Sequence, residues 1–334
     1  MTLNPTRFSS IIVAYNNADT VSVCLDSVLG QEYSQNETIV VCDQGSSDGT
    51  ETKLREILSK ESRKFEVVAT PHTGRSAARN IGWRRSTGNA IFFADADDVY
   101  QSDYLTKAAE ALRDGTVGCV CITGSSLVEG KSLSSRMLKV YSLIQVENRR
   151  RRRFRPSWAW VYTRNALERV GGFDEELSQA EDKDIFERVT GLGYRAAVVE
   201  GVHWFHRRPS SNMSYFRKTY RGGVNRIPYL RKTHDYLGFV RATAVFWLLG
   251  AGLVLQLVFP FTFLAALFAL VLYVVFKGVS TANMIWRDVP SKLDLILYPL
   301  FSLASHTVAA MGEVTGLLRH QELSHATSDA FKTG

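Results

Sequence analysis

The sequence predicts an α/β fold with a mostly parallel central sheet flanked by helices, followed by a C-terminal α-helical membrane region. Short β-branched runs alternate with helix-length amphipathic stretches from Ser9 to Val199, a pattern typical of parallel sheets with helices on both faces. Residues 242–276 then contain no charged side chain. An apolar stretch of this length is typical of a segment that lies in lipid.

The composition indicates a folded protein with an uneven distribution of charge. Of its 334 residues, 45% are hydrophobic and 22% are charged, which argues against a disordered chain. The formal net charge is +7, and the basic excess lies between Arg149 and Arg241. The four cysteines follow neither a zinc nor a disulfide pattern, and residues 1–7 lack the pattern of a secretion signal. We therefore expect a reducing, cytoplasmic setting for the N-terminal part.

Four strands and four helices account for the first part of the α/β region. The predicted strands cover residues 10–15, 38–42, 65–69 and 90–94, and the predicted helices cover residues 20–31, 48–60, 75–86 and 102–113. Ligands of open α/β sheets bind beyond the carboxyl ends of the strands. Those ends carry Asn16, Asp43, Thr73-Gly74-Arg75 and Asp95-Ala96-Asp97. We expect these polar groups to converge at one edge of the sheet.

Three carboxylates, Asp95, Asp97 and Asp98, follow the apolar run at 90–94. Clustered anions need a compensating cation, and Mg²⁺ or Mn²⁺ binds carboxylate and diphosphate oxygens. An Asp-rich turn is also a common way to start the next helix. The cluster alone leaves a metal site and a plain turn open.

Five short motifs follow one another between Phe8 and His206. They are SIIVAYNN from Ser10, DQGSSDGT from Asp43, GRSAARNIG from Gly74, ADADD from Ala94, and GGFDE from Gly171 followed by Glu181-Asp182. In this order they resemble the family 2 glycosyltransferases of the GT-A fold. The resemblance implies transfer of a sugar from a nucleotide-diphosphate sugar.

The resemblance also implies roles for the residues that match the first two motifs and the acidic turn. Ala14, Asn16 and Asp43 would hold the nucleoside, with Asp43 receiving the base or the ribose. Asp95 and Asp97 would bind Mg²⁺ or Mn²⁺ on the donor diphosphate, so Asp95 belongs to both the donor site and the metal site.

Two arginines and one histidine complete the implied binding site. Arg75 and Arg79 would lie near the phosphates or the donor sugar, where a guanidinium pairs with two oxygens at once. A helix cap or a surface ion pair is the alternative for each. His206 falls where similar sequences carry a histidine near the metal, although His203 is close by and a structural role is the alternative.

Asp182 is the implied catalytic base, and Glu181 would orient or support it. Transfer to a hydroxyl needs a group that removes its proton, and attack from the face opposite the nucleotide would invert the anomeric centre. An ordinary acidic first turn, favoured by the helix dipole, is the alternative for this pair.

The chain is expected to divide into four parts. These are a catalytic domain at 1–206, with a donor half at about 8–115 and an acceptor half at about 116–206, a basic interfacial segment at 207–241, a transmembrane region at 242–318, and an exposed or cytoplasmic tail at 319–334. The transmembrane region would hold two or three helices, with a tight hairpin around Pro260 or a single kinked helix instead. Residues 293–318 are either a third span or an interfacial helix.

Basic residues flank the apolar region on both sides, which favours placing both flanks in the cytoplasm. We therefore expect a multi-pass protein of the cell membrane with a cytoplasmic catalytic domain. The five arginines at 149–153 are either a solvated loop or a site for lipid phosphate. No aromatic-interleaved platform accompanies them, so nucleic acid is not an expected partner.

Together these features predict an inverting, metal-dependent glycosyltransferase that acts on a lipid-linked or membrane-proximal glycan acceptor. A polyprenyl-phosphate sugar synthase is the alternative within the same chemistry. A non-catalytic membrane scaffold with a nucleotide-sugar fold and a nucleotidyltransferase are alternatives of other classes.

Overall fold

In a computed structural model of the chain, the described residues are 6–60, 64–123, 132–150, 159–200, 204–206, 211–234, 251, 255, 261–289 and 291–332. The chain divides into two compact units. The N-terminal unit comprises Met1–Glu129 and Phe154–Arg207, and the C-terminal unit comprises Gly130–Arg153 and Arg208–Gly334. The five arginines at 149–153 begin at the end of a helix, and residues 151–153 lie outside the described residues.

The N-terminal unit is built on a seven-stranded sheet. The strands of the unit are β1 (Phe8–Ala14), β2 (Asn36–Asp43), β3 (Lys64–Ala69), β4 (Ala90–Asp95), β5 (Asp98–Tyr100), β6 (Val117–Thr123), β7 (Val161–Thr163), β8 (Arg195–Glu200) and β9 (Trp204–His206). The order of the large sheet is β3-β2-β1-β4-β7-β6-β8, and only β7 runs antiparallel to its neighbours. Strands β5 and β9 form a separate antiparallel pair. The predicted mostly parallel sheet is confirmed.

Helices cover both faces of this sheet. They are α1 (Val21–Leu29), α2 (Thr50–Leu58), α3 (Arg75–Arg85), α4 (Tyr104–Ala111), α6 (Arg164–Val170) and α7 (Glu181–Gly191). Every residue of β1 is buried, as expected of a strand covered on both faces. Its side chains alternate between two apolar clusters, with Phe8 and Ile12 in one and Ile11 and Val13 in the other. The four predicted strands and four predicted helices of the donor half are all present.

A side-chain amide on α3 holds the Gly171-Gly172 turn that precedes α7. The Oδ1 atom of Asn80 accepts hydrogen bonds from the Phe173 backbone N–H at 2.9 Å and from the Trp83 indole at 3.1 Å. Its Nδ2 group donates to the Phe173 carbonyl at 2.8 Å and to Glu175 at 2.7 Å. Gly172 has φ 85°, and a Cβ there would lie 2.5 Å from Asn80 Oδ1. Only glycine fits this close approach.

The described part of the C-terminal unit is helical. They are α5 (Leu133–Arg150), α8 (Asn212–Asn225), α9 (Ile227–Thr233), α10 (Thr262–Ile285) and α11 (Lys292–Lys332). Met137 and Val140 of α5 are buried in a cluster with Ile285, Leu295 and Phe301. Helix α5 therefore packs with the C-terminal helices, whereas we expected residues 116–206 to form the acceptor half of the catalytic domain. The sequence shows that this helix has an apolar face but not which surface covers that face.

Among the described residues of this unit, two helices are long and apolar enough to cross a membrane. They are Leu264–Ile285, with 22 residues, and Lys292–Arg319, with 28 residues. Large apolar side chains of the first helix are exposed, among them Phe276 at 74%. Residues 293–318 form part of one continuous helix. The proposed first span and the hairpin around Pro260 lie outside the described residues.

Lys277 is the first charged residue after the uncharged stretch at 242–276 and lies within a helix, because α10 continues to Ile285. Its ammonium donates to the Ser302 hydroxyl at 2.8 Å and contacts the Tyr273 hydroxyl at 3.4 Å. A long lysine side chain places its charge beside polar partners while its methylenes stay on apolar surface. One charged residue therefore does not end the helix.

Alanine substitutions at the two adjacent glycines test the turn. Gly171 also has positive φ, 78°, but nothing lies within 4 Å of a Cβ there. We expect Gly171→Ala to lower the free energy of unfolding by about 1–2 kcal/mol through backbone strain alone. Gly172→Ala should cost about 1–3 kcal/mol more, because the methyl group displaces Asn80. Denaturant unfolding of both full-length variants measures the difference, and equal losses would contradict the packing role.

Candidate active site

The carboxyl ends of three adjacent strands bring the predicted site residues to one edge of the sheet. Ala14 of β1 is in register with Asp43 of β2, and Val13 of β1 is in register with Asp95 of β4. Neighbouring strands are separated by about 4.8 Å, so the two aspartates stand about 10 Å apart on either side of β1. The convergence predicted from the strand ends is present.

The loops after β1 and β2 hold one another through polar side chains. Asp43 is buried and accepts hydrogen bonds from the hydroxyl and the backbone N–H of Ser46. The Ser46 hydroxyl in turn accepts from the Asn16 N–H at 2.9 Å, and Asn16 Oδ1 accepts from the Ser47 N–H at 3.0 Å. Asn16 has φ 52°, a left-handed conformation that asparagine tolerates. These bonds hold the carboxylate of Asp43 in a fixed position at the strand end.

An aromatic pair that the sequence did not indicate lies next to these loops. The rings of Tyr15 and His72 stack with centroids 4.1 Å apart and an interplanar angle of 29°. Tyr15 directly follows β1, whereas His72 lies in the loop before α3. The Ala14 carbonyl accepts from the Gln44 N–H at 3.0 Å, and the Gln44 side chain accepts from Gly74 N–H at 3.0 Å. The position of Tyr15 in the first motif was a signal for it, but only tertiary contacts bring His72 beside it.

The acidic turn places its three carboxylates in different surroundings. Asp95 and Asp97 are partly exposed, whereas Asp98 is 1% exposed and accepts a long hydrogen bond, 3.5 Å, from Tyr100. Burial, and then the charge of Asp98, raise the pKa of the Tyr100 hydroxyl. We expected all three carboxylates to be presented together. Asp98 instead begins β5 and faces the protein interior, because side chains alternate along a strand.

The backbone of Asp95 is fixed from both sides. Its N–H donates to the Tyr100 hydroxyl at 2.9 Å, and its carbonyl accepts from the Cys24 thiol at 3.2 Å. Burial, followed by the charge of Asp98, raises the pKa of that thiol well above its ordinary value. Cys24 therefore stays protonated and acts as a donor to the turn.

A buried arginine joins the acidic turn to the start of α7. Arg79 is 5% exposed, and its guanidinium donates to Asp95 Oδ1 and to Glu181 Oε1, each at 3.0 Å. It also lies over the Phe173 ring at 5.3 Å from the centroid. Burial lowers the pKa of the guanidinium, but the charges of Asp95 and Glu181 outweigh burial and raise it. The expected contact of Arg79 with donor phosphates stays a prediction.

Glu181 is a buried carboxylate shared by two arginines. Besides Arg79, it pairs with Arg75 at 3.2 Å, whose side chain is about half exposed. Glu181 begins α7 after Ala180, which has φ 62°. Such a conformation is costly for a residue other than glycine and is found where the surroundings impose it. The strained residue sets the direction in which α7 starts.

Asp182 stands next to Glu181 but faces outward. Its Oδ1 atom accepts from the Lys183 N–H at 2.8 Å, and its side chain is exposed at the mouth of a cavity. The walls of that cavity desolvate the carboxylate, which is the main reason that the pKa of Asp182 is raised. The charge of Glu181 adds to this, whereas Arg79 and Arg75 oppose it. A carboxylate with a raised pKa is a better proton acceptor.

One cavity of about 90 Å³ is lined by half of the predicted site residues. Its lining includes Arg75, Arg79, Asp95, Glu181 and Asp182, together with Phe93, Ala159, Trp160, Phe173 and Gln179. Ala14, Asn16, Asp43 and Asp97 do not line it. The site thus has a charged cavity at β4 and α7 and a separate set of polar groups at the ends of β1 and β2.

His206 is placed by its strand. It lies at the end of β9, in register with Asp98 of β5, so its backbone lies beside the acidic turn. Its side chain is outside what the structure describes, and its role as a metal ligand stays a prediction.

The acidic turn fits a hard divalent cation with few protein ligands. Magnesium sites of enzymes that bind nucleotides use one or two carboxylates and take their other ligands from water and substrate phosphates. Asp95 and Asp97 supply that number. Among the described residues, no group of three or more His, Cys, Asp or Glu side chains converges as a metal cage. The two carboxylates, Asp95 and Asp97, therefore suit a cation that takes its other ligands from a bound diphosphate and water.

Removal of the Arg79 guanidinium tests the buried ion pairs. We expect Arg79→Met to lower the free energy of unfolding by about 3–5 kcal/mol, because Glu181 and Asp95 lose their shared cation. Arg84→Met is the matched control on the same helix, since Arg84 is exposed and pairs with Glu175 at 3.7 Å. It should cost less than about 1 kcal/mol. Denaturant unfolding of the full chain measures both losses, and a small loss for Arg79→Met would contradict the role.

Comparisons with known proteins agree with this geometry. The family described as Glycosyl transferase family 2 matches residues 9–171. Glycosyltransferase AglE of Haloferax volcanii is 26% identical over 247 residues, which cover 72% of this chain and 80% of that protein. The uncharacterized glycosyltransferase EpsJ of Bacillus subtilis is 30% identical over 217 residues, 61% of this chain and 62% of that protein.

A solved structure has the same fold. The mannosyltransferase PcManGT of Pyrobaculum calidifontis, solved in complex with GDP-Man and Mn²⁺, is 20% identical with a TM-score of 0.61. The match covers 94% of this chain and 88% of that one. Residues 9–171 thus form a family 2 glycosyltransferase domain, and the fold is of GT-A type.

Proposed function

We propose that the chain is an inverting glycosyltransferase in which Asp182 is the base and the donor diphosphate lies against Asp95, Asp97 and Arg75. One observation carries this proposal: Asp182, Asp95 and Arg75 line the same cavity. Asp182 can serve as the base, and Asp95 and Arg75 lie in the same cavity, where they can contact the diphosphate of the donor.

The acceptor hydroxyl loses its proton to the carboxylate of Asp182. Its oxygen then forms a bond to the anomeric carbon of the donor sugar while the bond from that carbon to the diphosphate oxygen breaks. The nucleoside diphosphate leaves with both bonding electrons. Attack from the side opposite the leaving group inverts the configuration of the anomeric carbon. The raised pKa of Asp182 suits it to accept this proton.

The charged residues around Asp182 have different tasks. Arg75 has an exposed guanidinium and is the cation that meets the developing charge on the diphosphate. Arg79 and Glu181 are buried, so we assign them to positioning. Arg79 holds Asp95, and Glu181 holds the arginines and the start of α7.

The donor is a nucleoside diphosphate sugar. The neighbour PcManGT binds GDP-Man and Mn²⁺, which supports this donor class and a divalent metal here. Asp43 and the Tyr15–His72 pair are the groups that would receive the nucleoside, since an aromatic ring offers a stacking surface to a base. Mg²⁺ or Mn²⁺ bound by Asp95 and Asp97 would neutralise negative charge on the leaving diphosphate.

The acceptor is a lipid-linked or membrane-proximal glycan, and the catalytic unit faces the cytoplasm. The two apolar helices of the C-terminal unit support a membrane location, and the basic residues before and after them support a cytoplasmic side.

Replacement of Asp182 tests the base. We expect Asp182→Asn to lower kcat for transfer to a hydroxyl acceptor by about 10²- to 10⁴-fold, with unchanged binding of the donor. Glu187→Gln is the matched control, because Glu187 is an exposed acid on the same helix. Transfer assays with UDP-, GDP- and dTDP-sugars on membranes that contain the chain measure both variants. Full activity of Asp182→Asn with a hydroxyl acceptor would refute the role. Full activity of Asp182→Asn with polyprenyl phosphate would identify a phosphate acceptor, because a phosphate is already anionic and needs no base.

The raised pKa of Asp182 predicts opposite effects on activity and stability. A base must be ionised, so kcat/KM should rise with pH through a pKa above the ordinary 3.8 of aspartate. A carboxyl group with a raised pKa binds protons more tightly in the folded state, so its contribution to stability is lost as pH rises. Asp182→Asn, which carries no charge, should therefore be at least as stable as the wild type at neutral pH. Thermal unfolding at pH 5 and pH 7.5 measures this, and a strongly destabilised variant at pH 7.5 would contradict it.

Loss of the second acidic-turn ligand tests the metal. We expect Asp97→Ala to weaken Mn²⁺-dependent binding of the donor by roughly tenfold or more, since one of two protein ligands is removed. Asp26→Ala is the control, because Asp26 is an exposed acid on α1. Titration of the nucleotide sugar with and without Mn²⁺ measures the effect. Equal affinity of Asp97→Ala and wild type in Mn²⁺ would exclude Asp97 as a ligand.

A further inference from the structure

The C-terminal unit contains a groove that the proposed transfer reaction does not use. It has a volume of about 540 Å³ and is formed by one face of α8 with a residue of α11. We call it the arginine groove. Its walls include Met213, Phe216, Arg217, Tyr220, Arg221 and Arg319.

The charged side chains of the arginine groove are all positive. Arg217, Arg221 and Arg319 are exposed, and none of the residues that line the groove is acidic. Within the described part of the chain, none of the three forms an ion pair. Other arginines of the unit behave differently, since Arg226 pairs with the buried Glu313 and Arg136 with the buried Asp294. Three guanidinium groups thus remain available to an external anion.

The groove combines these charges with apolar surface. Residues 213, 216, 217, 220 and 221 follow the spacing of one helix face. Met213, Phe216 and Tyr220 therefore lie between or beside the arginines along α8. A small inorganic ion would use only the charges, whereas an amphiphile with an anionic head and an apolar chain would use both kinds of surface.

The helices that form the groove are held close together. A Cβ at Gly223 of α8 would clash with the Ala309 carbonyl of α11, and one at Gly312 with the Tyr220 carbonyl. Tyr220 also donates to the Thr315 hydroxyl at 3.0 Å. The arginines of α8 and Arg319 of α11 are therefore carried by a tightly packed pair of helices, which fixes the spacing of the groove walls.

We infer that the arginine groove binds the phosphate headgroup of an anionic phospholipid. This inference rests on the proposed membrane location of the chain. Charge complementarity selects an anion, and the apolar walls select a lipid over a free phosphate. The same unit contains α10, whose exposed apolar side chains suit contact with acyl chains. An acidic protein or a nucleic acid would use the charges of the groove but not its apolar walls at Met213, Phe216 and Tyr220.

Native mass spectrometry of the full chain in a neutral detergent tests the inference. The probe is dioctanoyl phosphatidylglycerol, with dioctanoyl phosphatidylcholine as the zwitterionic comparison. The test variant is the triple substitution Arg217→Gln, Arg221→Gln and Arg319→Gln. The matched control is Lys218→Gln, Arg231→Gln and Arg287→Gln, which removes three exposed charges of the same unit outside the groove.

We expect wild type to bind phosphatidylglycerol more tightly than phosphatidylcholine. Each arginine should contribute about fivefold, so the groove variant should lose on the order of 100-fold in affinity. The control variant should stay close to wild type. Equal affinity of groove variant and wild type would overturn the inference, as would equal binding of both lipids. Displacement of the lipid by equimolar oligoglutamate, single-stranded DNA or inorganic phosphate would also overturn it, in favour of that ligand.

Four further measurements separate this inference from the proposed function. Circular dichroism and thermal unfolding of the groove variant should match wild type, because its three substitutions are on the surface. Hydrolysis of the donor sugar in the same detergent reports on the catalytic unit, and carbonate extraction of membranes reports on membrane location. If the wild type hydrolyses none of the donor sugars, the proposed enzyme function is refuted. The lipid titration remains a valid test of the groove in that case.

Discussion

The guanidinium of Arg79 is the group on which the candidate active site depends. It is buried, and it bonds two carboxylates that come from distant parts of the chain, Asp95 at the end of β4 and Glu181 at the start of α7. Two neighbouring carboxylates repel each other, and burial of an ionised carboxylate without a positively charged partner destabilises the fold. The guanidinium of Arg79 forms an ion pair with each carboxylate and so compensates the repulsion between them. The acidic turn and the helix that carries Asp182 are thereby held in one arrangement.

Helix α3 supplies most of the groups that maintain this arrangement. Arg75 and Arg79 are four residues apart, so they lie on the same face and both reach Glu181. Asn80 follows on the adjacent face and holds the turn that contains Gly172 before α7. The motif that begins at Gly74 therefore fixes the position of α7 from two sides. Its residues act on the site largely by holding other residues in place.

Burial and charge divide the acidic residues of the site into two groups. Asp98 and Glu181 are almost completely buried and take part in the structure of the turn and of the ion pairs. Asp95, Asp97 and Asp182 retain contact with solvent, and these are the carboxylates to which a ligand has access. This division supports our proposal that the accessible carboxylates take part in binding and proton transfer and that the buried ones hold the site in place.

From the sequence alone one could predict the order of strands and helices in the donor half, the convergence of polar strand ends, and the family 2 glycosyltransferase domain at residues 9–171. Alternating apolar runs and turn residues are local signals, and the carboxyl ends of parallel strands meet at one edge by geometry. The sequence also predicted that Asp95 and Asp182 belong to the site, because each lies in a short recognisable motif, and both line the same cavity. It indicated an apolar C-terminal region, because a long uncharged stretch needs no tertiary information to be recognised.

Only the tertiary structure decided how these residues are used. Asp98 looked equivalent to its neighbours, but strand alternation turns it inward. Arg79 is bonded to residues 16 and 102 positions away, and no local pattern shows such partners. His72 stacks on Tyr15, and α5 packs with the C-terminal helices, for the same reason. Local periodicity tells which face of an element is apolar or charged, whereas the partner of that face is set by the free energy of packing the whole chain.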